Sequence, residues 1–346
     1  MTIDLRSDFI GRPTGEMVKA MTKAAGVACS FGLRESPIQR DLESLAAHML
    51  GKEDALFFPT CTMCNQTAIN ILCSPGEKFI AEAESHCVLS EAGAPAAISG
   101  VMAKAVPGES GYVKSEDMEA AIELGDELRS RTSLIVLENT HNRAGGTVLS
   151  EAQMRQTREI ADRHSIPIHL DGARLFNAAV HLGVSVSELA TCADSVAISL
   201  NKGLSAPLGA ILAGNKSFIQ DAVFVRQRLG GGWRPTNILA AAAIVALETM
   251  VDRLAEDHAH AKMLAEGIAR CKGLHIDLEK VQTNIVLARL VHHSLTVEDI
   301  IEALRERNIL VIRFGEDAIR MALHWEIVEQ HVHEVIDAFS RLMGTT

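Results

Sequence analysis

The stretch HLDGAR (169–174), followed 31 positions after Asp171 by Lys202 in SLNKGLSAPLG (199–209), decides how the rest of this chain is read. Each motif completes an apolar run of strand length, PIHLDG (167–172) and SVAISL (195–200), and each then breaks into glycine and polar residues. Open α/β sheets bind ligands at the carboxyl ends of their strands, so Asp171, Arg174 and Lys202 are expected to meet at one sheet edge. A lysine amine set among Leu200, Gly203, Leu204 and Ala206 is poorly hydrated, which lowers its pKa and favours the neutral, nucleophilic form that Schiff-base chemistry needs. An aspartate on the adjoining strand can keep a pyridine nitrogen protonated, and the nearby glycines let a flat ring approach the backbone. The conjunction points to pyridoxal 5'-phosphate. Neither residue would do so alone, because an Asp-Gly after a strand is commonly a turn and a lone lysine commonly a solvated charge.

Outward from this pair, apolar runs alternate with amphipathic stretches, the pattern of an α/β fold with a largely parallel sheet covered by helices. Further strands are expected at ALFF (55–58), KFIAE (78–82), SLIVLEN (133–139) and GAILAG (209–214), with helices over 115–130, starting at Ser115, and 150–164, starting at Ser150. Beyond about residue 236, the run 238–271 reads as one very long helix or two joined ones, bridging to a second unit. That unit has strands at NIVLARL (284–290), ILVIRF (309–314) and AIRMAL (318–323), and helices over 297–308 and 326–343. Gly315-Glu316-Asp317 is expected to turn the last two strands into an antiparallel pair. The organisation is therefore a large domain over 1–245 and a small C-terminal α/β domain over 246–346.

Composition narrows the partners. The 346 residues are 47% hydrophobic and 22% charged, with 33 Lys+Arg against 44 Asp+Glu and a formal charge of -11. This excludes wholesale disorder and the basic field of a nucleic-acid or anionic-membrane binder, leaving a small-molecule partner. No apolar run has the length of about 20 residues that crosses a bilayer, and MTIDLRSDFI lacks the layout of an export signal, so the cytoplasm is the expected compartment. Seven scattered cysteines read as free thiols. The histidine pairs His258/His260, His292/His293 and His331/His333 lie in charged stretches without zinc-like spacing, and no metal site is expected.

A phosphate needs a cup, and FFPTCTMCNQTAI (57–69) supplies a strand, a break and a helix start. Backbone N–H groups there, with the Thr60 and Thr62 hydroxyls and Cys61 between them, can receive a dianion; a plain helix cap by either threonine is the alternative. Cys61 and Cys64 also have the spacing of a thiol-disulfide pair, a rival that leaves Lys202 and Asp171 without a role. His86, after KFIAE, and His141, after SLIVLEN, would reach the same edge to stack on a ring or move a proton.

These motifs, with DLRSD (4–8), RPTGEMVKAM (12–21), ESHCVLSEAG (84–93), ENTHNRAGG (138–146) and RQRLGGGWRP (226–235), resemble the threonine aldolases in order and spacing over nearly the whole chain. These are fold-type-I pyridoxal-phosphate enzymes of the threonine aldolase and β-eliminating lyase group. The resemblance implies that Lys202 bonds the cofactor, Asp171 pairs its ring nitrogen, His86 stacks on the ring, and Thr60, Cys61 and Thr62 form the phosphate turn. It implies that Arg234 reaches the phosphate of a partner subunit in a homodimer or homotetramer. It also implies that residues 1–15 contribute to the active site, with Ser7, Arg174 and Arg320 holding the substrate carboxylate. Cys61 stands where the family commonly has glycine. The expected reaction is reversible cleavage of L-threonine, L-allo-threonine or a related β-hydroxy-α-amino acid to glycine and an aldehyde, with His141 or His86 as base. β-Elimination or racemisation on the same scaffold is the alternative.

Overall fold

A computed structural model describes residues 2–291 and 294–344, so His292 and His293 lie outside the described residues. Six expected strands assemble, with one more, into a seven-stranded sheet. Its order is β2 (Asp54–Phe58), β8 (Ala210–Gly214), β7 (Ser195–Ser199), β6 (Ile168–Gly172), β5 (Thr132–Glu138), β3 (Lys78–Glu82) and β4 (Met102–Val106). β4, β3, β5, β6 and β7 are mutually parallel, and β8 runs antiparallel to both β7 and β2. β2 and β7 therefore point the same way. β6 and β7 are buried at every position, which is why they read as unbroken apolar runs. β4 escapes a sequence reading because it is an edge strand, MAKAV, with three of its residues exposed.

The second sheet has the order β12 (Ile312–Phe314), β13 (Ala318–Ala322), β10 (Ile285–Leu290) and β9 (Leu274–His275), with β12 and β13 antiparallel around 315–317 as expected. ILVIRF is not one strand. Its first part, β11 (Ile309–Leu310), pairs in parallel with β1 (Ile3–Asp4), and only its second part joins the sheet. The start of the chain is thereby tied to its last third.

The helix expected over 115–130 spans only Ser115–Ala121, and Lys114, not Ser115, occupies its cap position. The backbone is already extended at Ile122, Glu123 pairs with Thr132 through its N–H and carbonyl, and the chain then turns at Gly125, φ +80, with Asp126 Oδ1 accepting the N–H groups of Leu128 and Arg129 at 2.8 Å each. The helix Glu151–His164 does start from Ser150, through a reciprocal capping box with Gln153. The run 238–271 is two helices, Asn237–Thr249 and Leu254–Ile268. The first packs Ala240, Ala243 and Leu247 into the core of the large sheet, while the second places Ala261, Leu264 and Ile268 in a separate core with Val286, Met321 and Phe339.

Candidate active site

Strand direction sets the site. β2, β3, β5, β6 and β7 all run the same way, so the segments after them emerge at one edge with Thr60, His86, His141, Arg174 and Lys202. Asp171 ends β6 opposite Ala197 of β7. Its Oδ2 accepts Asn65 Nδ2 at 2.7 Å, and its Oδ1 accepts the Ala173 N–H at 3.1 Å and faces Cys61 Sγ at 3.8 Å. Asn65 Oδ1 in turn meets His169 Nε2 at 3.0 Å, and His169 Nδ1 meets Ser195 Oγ at 2.9 Å. With the Asn65 amide nitrogen on Asp171, its oxygen accepts from Nε2–H; burial, which pushes His169 down to about 4, keeps the ring neutral, and Nδ1 then accepts from the Ser195 hydroxyl.

Lys202 has the environment expected of it. Burial lowers its pKa, the Arg174 charge adds to this, and Cys61, Asp8 and Asp171 oppose it. Nζ has no hydrogen-bond partner among the described residues.

Arg174, Arg320 and Ser7, expected to hold a carboxylate, also converge. Arg174 donates to both oxygens of Asp8 at 2.7 Å, and its Nη1 donates to Asn142 Oδ1 at 3.2 Å. Arg320 Nη2 donates to the same Asn142 oxygen at 3.1 Å, and its Nη1 to the Arg6 carbonyl at 3.1 Å. Ser7 is buried beside them, with Oγ 3.4 Å from Asp8 Oδ1. Burial would raise Asp8, but the Arg174 charge and hydrogen bonds outweigh it and hold the carboxyl well below the usual range. Burial and the neighbouring Arg174 lower Arg320 to about 10. Two guanidinium groups against one aspartate leave a positive seat for one carboxylate.

The two histidines differ. His141 has a 1% exposed side chain, with Nδ1 accepting the Ala144 N–H at 3.1 Å and Nε2 2.9 Å from Glu82 Oε2. His86 is 31% exposed, its Nδ1 is 2.8 Å from Glu91 Oε1, and its Nε2 has no partner among the described residues. Only His86 keeps a ring nitrogen free at the sheet edge. His86, Glu91 and Asp171 bring ligand atoms within 4.8 Å of one another, and Asn65 Nδ2 donates to both carboxylates.

Thr60 caps the helix Cys61–Leu72, accepting the Met63 N–H at 3.2 Å, and Thr62 lies in its first turn. Burial pushes the Cys61 and Cys64 thiols well up, the reverse of what a redox pair needs. Arg234 makes no hydrogen bond to these residues: it is exposed, donates to the Phe31 carbonyl and covers the Phe31 ring at 5.5 Å. Sequence reasoning missed Asp8, Asn65, Glu91, Glu138 and Asn142. All five lie inside quoted motifs, but nothing local marks them as partners of distant side chains.

The β-eliminating lyase family matches residues 4–290. The chain belongs to this family, in its threonine aldolase group. It is 41% identical to low-specificity L-threonine aldolase 1 of Arabidopsis thaliana, over 99% of this chain and 97% of that one. It is 34% identical to the low specificity L-threonine aldolase of Escherichia coli K12, over 96% and 97%. The solved structure of Leishmania major threonine aldolase shares the fold with a TM-score of 0.86 at 18% identity, covering 99% of this chain and 100% of that one. This is the fold-type-I architecture of the pyridoxal-phosphate enzymes.

The residues of this family member fit that cofactor. A buried amine without a partner, an aspartate with one oxygen still able to accept, and a helix start at the same edge are what an aldehyde, a ring nitrogen and a phosphate require. Cys61 adds a side chain at the first helical position. We expect Cys61→Gly to keep or improve cofactor affinity, read as the dissociation constant from absorbance titration; a large loss would show that the thiol contributes to binding.

The buried histidines also give the fold a pH signature. Burial pushes His169 down to about 4, below the unfolded value of about 6.5, so the unfolded chain binds more protons and stability falls as pH drops through that window. His86, through its Glu91 hydrogen bond, and His141, through Glu82 against burial, are raised. Their contribution is full below the unfolded value and is lost as pH rises through the folded ones. Denaturant midpoints are expected to peak near neutrality; a flat profile between about pH 5 and 9 would contradict this linkage.

Proposed function

We propose that this chain is a pyridoxal-phosphate-dependent aldolase that reversibly cleaves L-threonine, L-allo-threonine or a related β-hydroxy-α-amino acid to glycine and an aldehyde. The observation that carries it is the seat formed by Arg174, Arg320 and Asn142 at the same sheet edge as the unpartnered Lys202 amine, in a chain 41% identical to an L-threonine aldolase.

Lys202 would bond the cofactor aldehyde, and Asp171 would hold the ring nitrogen in its protonated form. The cofactor, when bound, supplies an electron-poor ring that accepts the electron pair of the breaking Cα–Cβ bond. Arg174 and Arg320, with Ser7 beside them, grip the substrate carboxylate and so set which bond at Cα stands perpendicular to that ring. His86, which would lie over the ring, would take the β-hydroxyl proton through Nε2, directly or across one water, a step worth about 10² to 10⁴ in rate. His141 braces its loop, since both of its nitrogens face other groups.

Arg234 is exposed and makes no hydrogen bond to the Thr60, Cys61 and Thr62 turn, and Phe31 beside it is 91% exposed; both support an assembly in which Arg234 serves a partner's phosphate, as a homodimer or homotetramer. The division into a large cofactor-binding domain over 1–245 and a small domain over 246–346 is supported by the two cores. A cytoplasmic location is supported by seven free cysteines. No helix among the described residues is long and apolar enough to cross a membrane.

The test is incubation of the cofactor-loaded protein with threonine, allo-threonine and phenylserine. Glycine plus aldehyde supports the aldolase; ammonia plus a keto acid, or epimerised amino acid alone, supports the eliminating or racemising alternative.

A further inference from the structure

His86 does not stand free. Its Nδ1 is 2.8 Å from Glu91 Oε1, and the Glu91 side chain is 0% exposed. Asn65 Nδ2 donates to that same oxygen at 2.9 Å, and Gln66 Nε2 donates to the other. Both carboxylate oxygens are thus held by groups on a second helix, Cys61–Leu72, that also carries Cys61. The His86 backbone is fixed independently, because its N–H donates to Glu138 Oε2 at 2.6 Å. Ring orientation and backbone position are therefore set by two different buried carboxylates, and Nε2 is the one ring atom left to meet a ligand.

We propose that Glu91 is a positioning residue for the reaction: by accepting the Nδ1 proton of His86 it fixes the ring so that Nε2 points to the substrate hydroxyl, and it stabilises the imidazolium formed when Nε2 takes that proton. This rests on the aldolase reading above. In the cleavage direction the proton passes from the β-hydroxyl to Nε2 while the Cα–Cβ pair moves toward the cofactor. In synthesis the same Nε2–H returns it to the aldehyde oxygen, so charge and protons balance without another reactant. Nδ1 keeps its proton throughout, shared with Glu91. This is the logic by which a buried carboxylate orients and charges a general-base histidine.

The electrostatics agree with the geometry. The Glu91 hydrogen bond raises His86 above the ordinary imidazole value against the opposing effect of burial. Asp171, facing it from β6, adds to the rise, and Lys202, from the segment after β7, opposes it. Glu138 of β5 meets the backbone, not the ring. Of these, only Glu91 touches a ring nitrogen.

The experiment compares wild type, Glu91→Gln and Glu91→Asp as full chains, with and without cofactor. ¹⁵N-histidine NMR, with the His86 signal assigned by His86→Asn, follows its titration. Glu91→Gln is expected to lower the His86 midpoint in both forms. It is also expected to move the acid limb of the kcat profile to lower pH and to cut plateau kcat by roughly 10²-fold, with little change in KM for threonine. Glu91→Asp, which keeps the charge, is expected to restore part of the midpoint and of kcat. Glu91→Gln that folds, by an unshifted thermal midpoint, yet leaves the His86 titration and the acid limb where they were, would overturn the proposal. So would Glu91→Asp behaving no better than Glu91→Gln. The NMR shift is measured without turnover, so it fails or holds separately from the assignment of the reaction.

Discussion

Lys202→Ala is expected to leave a folded protein that no longer takes on the colour of the bound cofactor near the violet edge of the spectrum, and to lose aldehyde production by roughly 10⁴-fold or more, the order of effect when a tethered nucleophile is removed. The fold should survive because the lysine amine makes no hydrogen bond among the described residues, and removing a poorly hydrated amine relieves a desolvation cost. The informative outcome is therefore the combination of lost absorbance, lost turnover and a retained or raised thermal midpoint. A Lys202→Ala protein that still cleaves threonine at the wild-type rate would remove the basis of the proposed chemistry. Loss of activity with the colour unchanged would place the covalent bond elsewhere.

Arg174→Ala should fail differently, by attacking fold and site together. Asp8 is fully buried and both of its oxygens accept from Arg174, so deletion of the guanidinium strands a buried carboxylate at a cost of about 3–5 kcal/mol. Asn284 Nδ2, at 3.0 Å from Asp8 Oδ2, offsets only part of this. The double variant Asp8→Asn/Arg174→Ala removes the stranded charge and is expected to recover most of the stability in denaturant titrations. It should not recover substrate binding. Each lost hydrogen bond to a charged group is worth about 1.5–3 kcal/mol, so KM for threonine should stay raised by about 10- to 100-fold. Arg320→Ala, whose partners are the Arg6 carbonyl and Asn142, should raise KM by a similar factor with a smaller stability loss. If the double variant restores KM along with stability, Arg174 is a structural ion-pair partner and not a substrate group.

The contrast between these two residues shows what kinds of information the chain carries locally. Lys202 and Asp171 were legible because each ends a buried parallel strand, and such strands announce themselves as continuous apolar runs followed by glycine and polar residues. Arg174 and Arg320 were legible as charged residues in suggestive motifs, but their common meeting point, Asn142, was not. The failed helix over 115–130 has the same lesson at smaller scale. Its amphipathic pattern is real, yet the backbone turns extended at Ile122 and Glu123 pairs with the distant Thr132, which ends the helix at Ala121. ILVIRF likewise satisfies strand propensity throughout, and only the arrival of Ile3–Asp4 as a partner divides it between two sheets.

Unaided, then, the amino-acid order determined the alternating architecture, the strand ends that carry Lys202 and Asp171, and the cofactor chemistry those two side chains imply, because periodic burial and strand-end chemistry are written in contiguous residues. Tertiary structure alone decided which histidine keeps a free nitrogen, which carboxylate stands behind it, and how Asp8 and Asn142 organise the arginines. Those outcomes depend on hydrogen bonds between residues as far apart as Asp8 and Arg174, or Asn142 and Arg320, and a directional contact of 2.7–3.2 Å exists only once packing has brought both ends together.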